Sequence, residues 1–346
     1  MKSELVSVII PVFKAENFVA KTIQSVLDQT YSDLEIIIVD DGSPDRSIDI
    51  CRKFDDPRIK IIQQANRGLA GARNTGIRNA TGTYIALIDA DDIWVKDKIE
   101  KHVAHLEKNS KLGVSFSYSK LIDQHDQPTG LKQIPTKIKN ITAPYILRRN
   151  PIGNGSTPVF KRQVFKDIEF LDNLYGVEEK FYFNESFKRA EDVECWLRIA
   201  LETDWECEGI PELLTLYRIH PGGLSASLLL QYEYLEKIID TYAAAYPDIF
   251  ADSASLAKAY YQRYIARRAV SVRDSKLALE MLHKSIFTDM RILTEEPVKT
   301  FVTMGATYFL CLFPTKLYTQ LEQVAMRFLA KRFQNSSNLK VGPTKV

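Results

Sequence analysis

The chain has 346 residues, enough for one large domain and a smaller one. Its 46 basic and 44 acidic side chains leave a net charge of +2, without the basic excess of a dedicated nucleic-acid binder. The four cysteines, Cys51, Cys195, Cys207 and Cys311, form no Cys-x-x-Cys pair, which excludes a zinc site or disulfide frame of that type and fits reduced thiols in a cytoplasmic protein. The apolar run at residues 5–10 is stopped by Pro11 and is too short for a secretory signal. The longest uncharged run, residues 301–313, falls short of the ~20 residues that span a bilayer, so a soluble chain is expected.

The first 120 residues alternate strand and helix. Strands are expected at 6–10, 34–39, 59–62, 83–88 and 112–118, with helices at 16–29, 47–54, 69–80 and 96–108 between them. Near-continuous apolar strands separated by helices imply a mostly parallel sheet covered on both faces, an α/β fold. Ligands of such sheets bind beyond the carboxyl ends of the strands. Each of the first four strands does end in chemically pointed residues: Pro11-Val12-Phe13, Asp40-Asp41-Gly42-Ser43, residues 63–68, and Asp89-Ala90-Asp91-Asp92. Residues 123–155 loosen into loops, with one helical turn near Ile146. A strand at 158–161, a helix at 190–202 and a strand at 210–217 follow. From residue 227 to about 331 the period is helical, with breaks at Pro247, Asp274, Pro297 and Pro314. The polar stretch 334–346 reads as disordered.

The acidic cluster carries the sharpest chemistry. If the backbone stays extended past the strand, Asp89 and Asp91 face one point and Asp92 faces away. Two converging carboxylates call for a cation between them, and a hard divalent ion completed by phosphate oxygens suits such a site. The plainer alternative is that Asp91 or Asp92 caps the helix near Asp97. Asp41 could accept a uracil N–H or a ribose hydroxyl, or serve only an Asp-Gly turn and a helix cap. Arg67 and Arg73 suit a diphosphate or a base edge, or a solvated helix face. The carboxylate at Asp192 could be a general base or could complement a helix N-terminus. His220 could be a metal or phosphate ligand, or an ordinary surface histidine.

Taken together, Val6-Ser-Val-Ile-Ile-Pro-Val-Phe, Asp40-Asp-Gly-Ser, Asn66-Arg-Gly, Ala72-Arg-Asn, Asp89-Ala-Asp-Asp, Glu191-Asp and Tyr217-Arg-Ile-His resemble the inverting family 2 glycosyltransferases of GT-A fold. The likeness is dense over residues 5–110, thinner over 150–225 and absent beyond. It implies a GT-A domain at 1–225, with a nucleotide-sugar half at 1–120 and an acceptor half at 121–225. A helical region at 226–332 and a tail at 333–346 complete the expected organisation.

By that resemblance Pro11, Phe13 and Asp41 line the nucleoside pocket of a UDP-linked donor, and Arg67 and Arg73 offset its diphosphate. Asp89-Ala90-Asp91 is the DxD motif, with Asp91 the principal Mg²⁺ or Mn²⁺ ligand, supported by Asp89 and His220. Asp192 is the base that frees an acceptor hydroxyl, carbohydrate or lipid-linked. The Gln-x-x-Arg-Trp motif and membrane helices of processive members are missing, so one sugar per encounter is implied, in polysaccharide or glycoconjugate synthesis. Loops 123–155 are expected to shape the acceptor pocket.

A sugar-1-phosphate nucleotidyltransferase would need a Gly-rich basic loop after the first strand, where Pro11-Val-Phe-Lys stands. A dinucleotide dehydrogenase would need Gly-x-Gly-x-x-Gly. A catalytically silent nucleotide-sugar-binding scaffold remains as an alternative. At the C-terminal end Leu317, Leu321, Val324 and Phe328 form an apolar stripe followed by Arg327, Lys331 and Arg332. It could pack on other helices, form a homodimer contact, or rest peripherally on the cytoplasmic membrane face.

Overall fold

Strand β1 (Val6–Val12) is buried at every residue, as its mostly apolar sequence, broken only by Ser7, suits a strand covered on both faces. The structure, a computed structural model, describes residues 4–220 and 227–314. The chain divides into two compact units, residues 1–251 and 252–346.

In the first unit β1 is followed by α1 (Val19–Leu27), β2 (Leu34–Asp40), α2 (Ser47–Cys51), β3 (Ile59–Gln63), α3 (Gly68–Asn79), β4 (Tyr84–Leu87), β5 (Ile93–Trp94) and α4 (Lys98–Glu107). Then come β6 (Leu112–Ile122), β7 (Pro128–Gln133), α5 (Ala143–Arg148), β8 (Val159–Lys161), α6 (Arg162–Asp167), β9 (Phe170–Asp172) and β10 (Glu179–Phe181). The unit ends with α7 (Glu191–Glu202), β11 (Glu206–Arg218), α8 (Leu228–Ala245) and α9 (Pro247–Phe250).

Its main sheet runs in the order β3-β2-β1-β4-β8-β6-β11-β5, with β7 beside β6. The β3-β2-β1-β4 half is parallel throughout. The chain moves outward from β1 to β2 and β3, then returns to β4 on β1's other side. That reversal opens a crevice beyond the carboxyl ends of β1 and β4, where ligands of open α/β sheets bind.

The second half departs from the expected parallel pattern. Strand β8 is antiparallel to both β4 and β6, β7 to β6, and β5 to β11, while β6 and β11 are parallel. Strands of two or three residues such as β5 and β8 have no period of their own, and their partners define them. Residues 128–133, inside the stretch read as loops, pair with β6 and leave five of their six residues exposed.

Helix α3 lies close on β1 because Gly76 has no side chain. A Cβ there would stand 2.3 Å from Ile9 Cγ2. A row of aromatic side chains fills the space between β8 and α7, with Phe160 stacked on Trp196 at 5.2 Å between centroids.

The second unit holds α10 (Ala254–Ser271), α11 (Ser275–Thr288), α12 (Ile292–Glu295) and α13 (Pro297–Leu312). Leu256, Ala259, Tyr260 and Ile292 form one of its cores, and Ala269, Val270, Ala278 and Leu310 another. Asp274 caps α11, its Oδ1 accepting the Leu277 N–H at 3.0 Å. The apolar stripe from Leu317 to Phe328, its basic end and the tail at 333–346 lie outside the described residues. Among those described, no helix is long and apolar enough to cross a membrane.

The Gly76 contact yields a stability test. Gly76→Ala should lower the thermal midpoint of the first unit by several degrees, because overpacking costs ~1–3 kcal/mol and outweighs the gain in helix propensity. A midpoint equal to or above wild type would mean that α3 can move off β1 at no cost.

Candidate active site

The strand ends and the loops facing them enclose a cleft of about 560 Å³. Pro11, Phe13 and Asp41 line one side, Asp89, Ala90 and Asp91 the middle, and Arg218 and His220 the far wall. Glu185, Phe187, Lys188, Arg189, Glu191 and Leu230 close it from the second half of the unit. Of the expected site residues, Pro11, Phe13, Asp41, Arg67, Asp89, Asp91 and His220 line this one cleft, although they come from positions 11 to 220, while Arg73 and Asp192 do not. Loops 123–155, expected to shape the acceptor pocket, contribute no lining residue among those described.

Phe13 is 45% exposed at the rim, a flat apolar face open to a ring. Asp41 is buried just after β2. Its Oδ1 accepts the Arg67 N–H at 2.8 Å and a Gln64 Nε2 hydrogen at 2.7 Å, and its Oδ2 accepts the Gly68 N–H at 2.8 Å. The carboxylate thus complements the start of α3, not the helix immediately following its own loop. Burial raises its pKa despite the three donors. Arg67 lies flat on the Tyr175 ring, 3.6 Å from its centroid, and pairs with Glu179. These contacts tie the β9–β10 hairpin to the cleft wall.

Arg73 differs from its expected role. It is only 1% exposed and does not line the cleft. Its Nη2 donates to Asp89 Oδ1 and its Nη1 to Glu191 Oε1, each at 2.7 Å. Gly155 makes room for this fork, since a Cβ there would lie 2.2 Å from Arg73 Nη2. The guanidinium is therefore a buried bridge between two carboxylates, while Arg67 and Arg218 are arginines that do line the cleft.

The acidic cluster is a turn, which corrects the extended backbone assumed from the sequence. The Asp92 N–H donates to Asp89 O at 3.0 Å, and the three carboxylates separate. Asp89 meets Arg73. Asp91 lies in the cleft with its Oδ2 3.0 Å from His220 Nε2. Asp92 is buried, with its Oδ1 accepting the Arg218 N–H at 2.9 Å, and its Oδ2 has no partner among the described residues. Burial first, then Asp91 and Asp89, hold the Asp92 pKa well above the usual carboxylate range.

Among the described residues no three His, Cys, Asp or Glu side chains form a ready-made metal-ligand group. The donors that do face the cleft, a partly exposed Asp91 with a hydrogen-bonded imidazole and Asp89 nearby, suit a hard divalent ion that completes its shell with phosphate oxygens and water.

Helix α7 begins on strained backbone. Ala190 has φ 55°, in the left-handed region, and so turns Glu191 and Asp192 into the first helical turn. Glu191 lines the cleft while held by Arg73. Asp192, half-buried beside it and not itself a lining residue, accepts the Val193 N–H at 2.8 Å. Burial pushes the Asp192 pKa up to about 7, Glu191 adds to the rise, and Arg73 moderates it.

Several lining residues, Glu185, Phe187, Lys188, Arg189 and Leu230 among them, belong to no sequence motif. Glu185 accepts from Tyr175 Oη at 2.5 Å and from Asn74 Nδ2 at 3.0 Å, so it joins the hairpin to α3. Only the fold reveals it.

A profile described as "Glycosyl transferase family 2" matches residues 7–169. The glucosyltransferase WfaP of Escherichia coli is 35% identical over 65% of this chain and 81% of its own length. The chain belongs to glycosyl transferase family 2.

WfaP's full name is UDP-Glc:alpha-D-GlcNAc-diphosphoundecaprenol beta-1,3-glucosyltransferase. An uncharacterized glycosyltransferase of Rickettsia felis is 46% identical over 63% of this chain, which spans only 33% of that relative. Among solved structures, Staphylococcus aureus TarS 1–349 in complex with UDP-GlcNAc shares the GT-A fold with a TM-score of 0.54. That likeness covers 88% of this chain and 81% of TarS 1–349 at 17% identity. The mannosyltransferase PcManGT of Pyrobaculum calidifontis, in complex with GDP-Man and Mn²⁺, matches with a TM-score of 0.52. It is 19% identical over 88% of this family 2 chain and 85% of its own.

The buried bridge predicts an outcome for Arg73→Met in this family 2 protein. Removing the cation leaves Asp89 and Glu191 facing each other in a dry setting, and breaking a buried pair costs ~3–5 kcal/mol. Denaturant unfolding should show a loss of that order, and Arg73→Lys should recover only part of it, since a single ammonium does not reproduce the fork. Wild-type stability in Arg73→Met would mean that the two carboxyls share a proton without help.

Proposed function

We propose that this chain transfers a single sugar from a nucleotide-diphosphate sugar, UDP-linked, to an acceptor hydroxyl with inversion at the anomeric carbon. The observation that carries this reading is the convergence of Asp41, the Asp89–Asp91 turn, His220 and Glu191 on one cleft at the carboxyl ends of β1, β2 and β4, with Asp192 next to Glu191 in the first turn of α7. An acceptor carried on a lipid diphosphate is supported by the name of WfaP. Synthesis of a surface polysaccharide or glycoconjugate is the corresponding role.

In this reading the donor's base lies against Phe13 beside Asp41, and its diphosphate extends toward Asp91 and His220. Arg67 and Arg218 add positive charge to the same walls. Asp91, with Asp89 and His220 beside it, would hold Mg²⁺ or Mn²⁺. When bound, that ion neutralises charge on the departing nucleoside diphosphate. Asp192 takes the acceptor proton, and Glu191, occupied by Arg73, fixes the turn that presents it.

A base with a pKa near 7 is half ionised near neutral pH. It is protonated and inactive below that pH and ionised above it. The logarithm of kcat/KM should therefore rise with unit slope up to about pH 7 and then level off. Asp192→Asn should lower kcat by at least ~10²-fold while leaving donor KM nearly unchanged. A flat profile down to pH 5, or a product of retained configuration by NMR of the anomeric proton, would overturn the single-displacement base.

The metal assignment has a separate readout. UDP binding by calorimetry should weaken in EDTA for the wild type and recover with Mn²⁺. Asp91→Asn should bind UDP equally weakly with or without the ion, because the charge that holds the cation is gone. Metal-independent UDP affinity in the wild type would remove Asp91 and His220 from any ligand set.

A further inference from the structure

The wall of the cleft formed by the segment preceding α7 has a chemistry that the donor does not use. Phe187, Lys188 and Arg189 line it, and Leu230 from the first turn of α8 lines it beside them. Phe187 is buried, and Lys237 of α8 sits over its ring at 5.1 Å. Lys188 is exposed, and among the described residues it forms no hydrogen bond or ion pair. Leu229 and Leu230 are also exposed, two adjacent leucines of which Leu230 lines the cleft. Cationic groups therefore stand beside apolar ones, on the loop that leads within four residues to Asp192.

We infer that this wall binds the diphosphate and the first isoprenoid units of a lipid-linked acceptor. Lys188 contacts the diphosphate, and Leu229 and Leu230 cover the proximal hydrocarbon. The assignment rests on the proposed transfer to a lipid-carried sugar and names where that carrier lies. The chemistry is complementary on both counts. A diphosphate is a dense anion that a free ammonium can approach from solvent, and a polyprenyl chain leaving it needs apolar surface within a few ångströms. The floor around Asp41, Asp89, Asp91, Glu185 and Glu191, with the arginines beside it, is the part of the cleft that the proposed donor diphosphate occupies. The Lys188 wall offers a second, exposed cation on the loop that leads to Asp192. A sugar on such a carrier would place its hydroxyl toward the base while its diphosphate stays at the rim.

The test compares three probes by calorimetry on the full chain saturated with UDP, which occupies the donor diphosphate site. Farnesyl diphosphate should bind at least tenfold more tightly than farnesol and than inorganic pyrophosphate, the scale of one charge-assisted contact or one apolar one. Lys188→Glu should abolish the advantage over farnesol, and Leu230→Asp the advantage over pyrophosphate. UDP affinity serves in both variants as the check that the cleft is intact.

Equal binding of farnesol and farnesyl diphosphate, an unchanged preference in Lys188→Glu, or displacement of farnesyl diphosphate by UDP would overturn the inference. Failure of the donor reading shows separately, as absence of UDP binding by the wild type. The three-probe comparison, repeated without UDP, would then still decide whether the wall holds a lipid diphosphate.

Discussion

The Arg73 bridge is the constraint on which the rest of the site depends. It joins the end of β4 to the start of α7 through two 2.7 Å charge-assisted hydrogen bonds, between residues separated by more than 100 positions in sequence. A guanidinium buried this far is costly to desolvate, and two carboxylates in fixed geometry offset that cost. Without the cation, Asp89 and Glu191 would repel across the cleft and the turn carrying Asp192 would lose its anchor. Arg73 also holds down the Asp192 pKa, so one side chain sets both the geometry and the charge state of the proposed base.

A second layer of buried polar groups holds the acidic turn from behind. The Asp89 N–H donates to Ser156 Oγ at 2.9 Å, and Ser156 O accepts the Trp94 indole N–H at 2.9 Å. Lys98, fully buried, donates to Thr157 O at 2.7 Å and contacts His102 Nε2 at 3.1 Å. Burial holds the Lys98 and His102 pKa values well below their ordinary ranges. On the other flank, Arg218 donates from its backbone to Asp92 and from Nε to Asp91 O at 2.7 Å. Such a network, mostly satisfied, favours one conformation of the turn over its neighbours. Asp91 and His220 therefore face each other on rigid supports.

Strands β1, β2 and β4 were legible because each is a largely buried run that leaves a near-continuous apolar signal, and β3, an edge strand with no fully buried residue, was legible from its isoleucines. What chemistry stands at their ends was legible for the same reason, since the carboxyl ends of parallel strands share one edge. Strand β8 was expected at 158–161, but β5, β7, β9 and β10 were not legible. They are short or exposed, and their pairing partners come from elsewhere in the chain. The turn at Asp89–Asp92 was misjudged because period-2 reasoning assumes that the extended backbone continues past the strand. Arg73 had a signal that was passed over. It sits in Gly68-Leu-Ala-Gly-Ala-Arg-Asn-Thr-Gly, where small residues surround the arginine and let the helix pack closely on the sheet. A cation in that setting is drawn inward to carboxylates, away from the solvent.

The same packing logic explains why the cleft has two chemically different walls. The wall nearest β1 and β2 is built on strands closely covered by α1 and α3, and there Asp41 is held by hydrogen bonds from the Arg67 and Gly68 backbone. The opposite wall hangs on a loop and on the first turn of α8, where Lys188 and Leu230 remain exposed. Rigid elements suit recognition of a constant group such as a nucleoside diphosphate, whose shape does not vary among donors that share a base. Looser elements suit a group whose length and sugar vary. A family that keeps one donor geometry while changing acceptors would confine sequence change to the second wall, and there the motifs of this chain thin out.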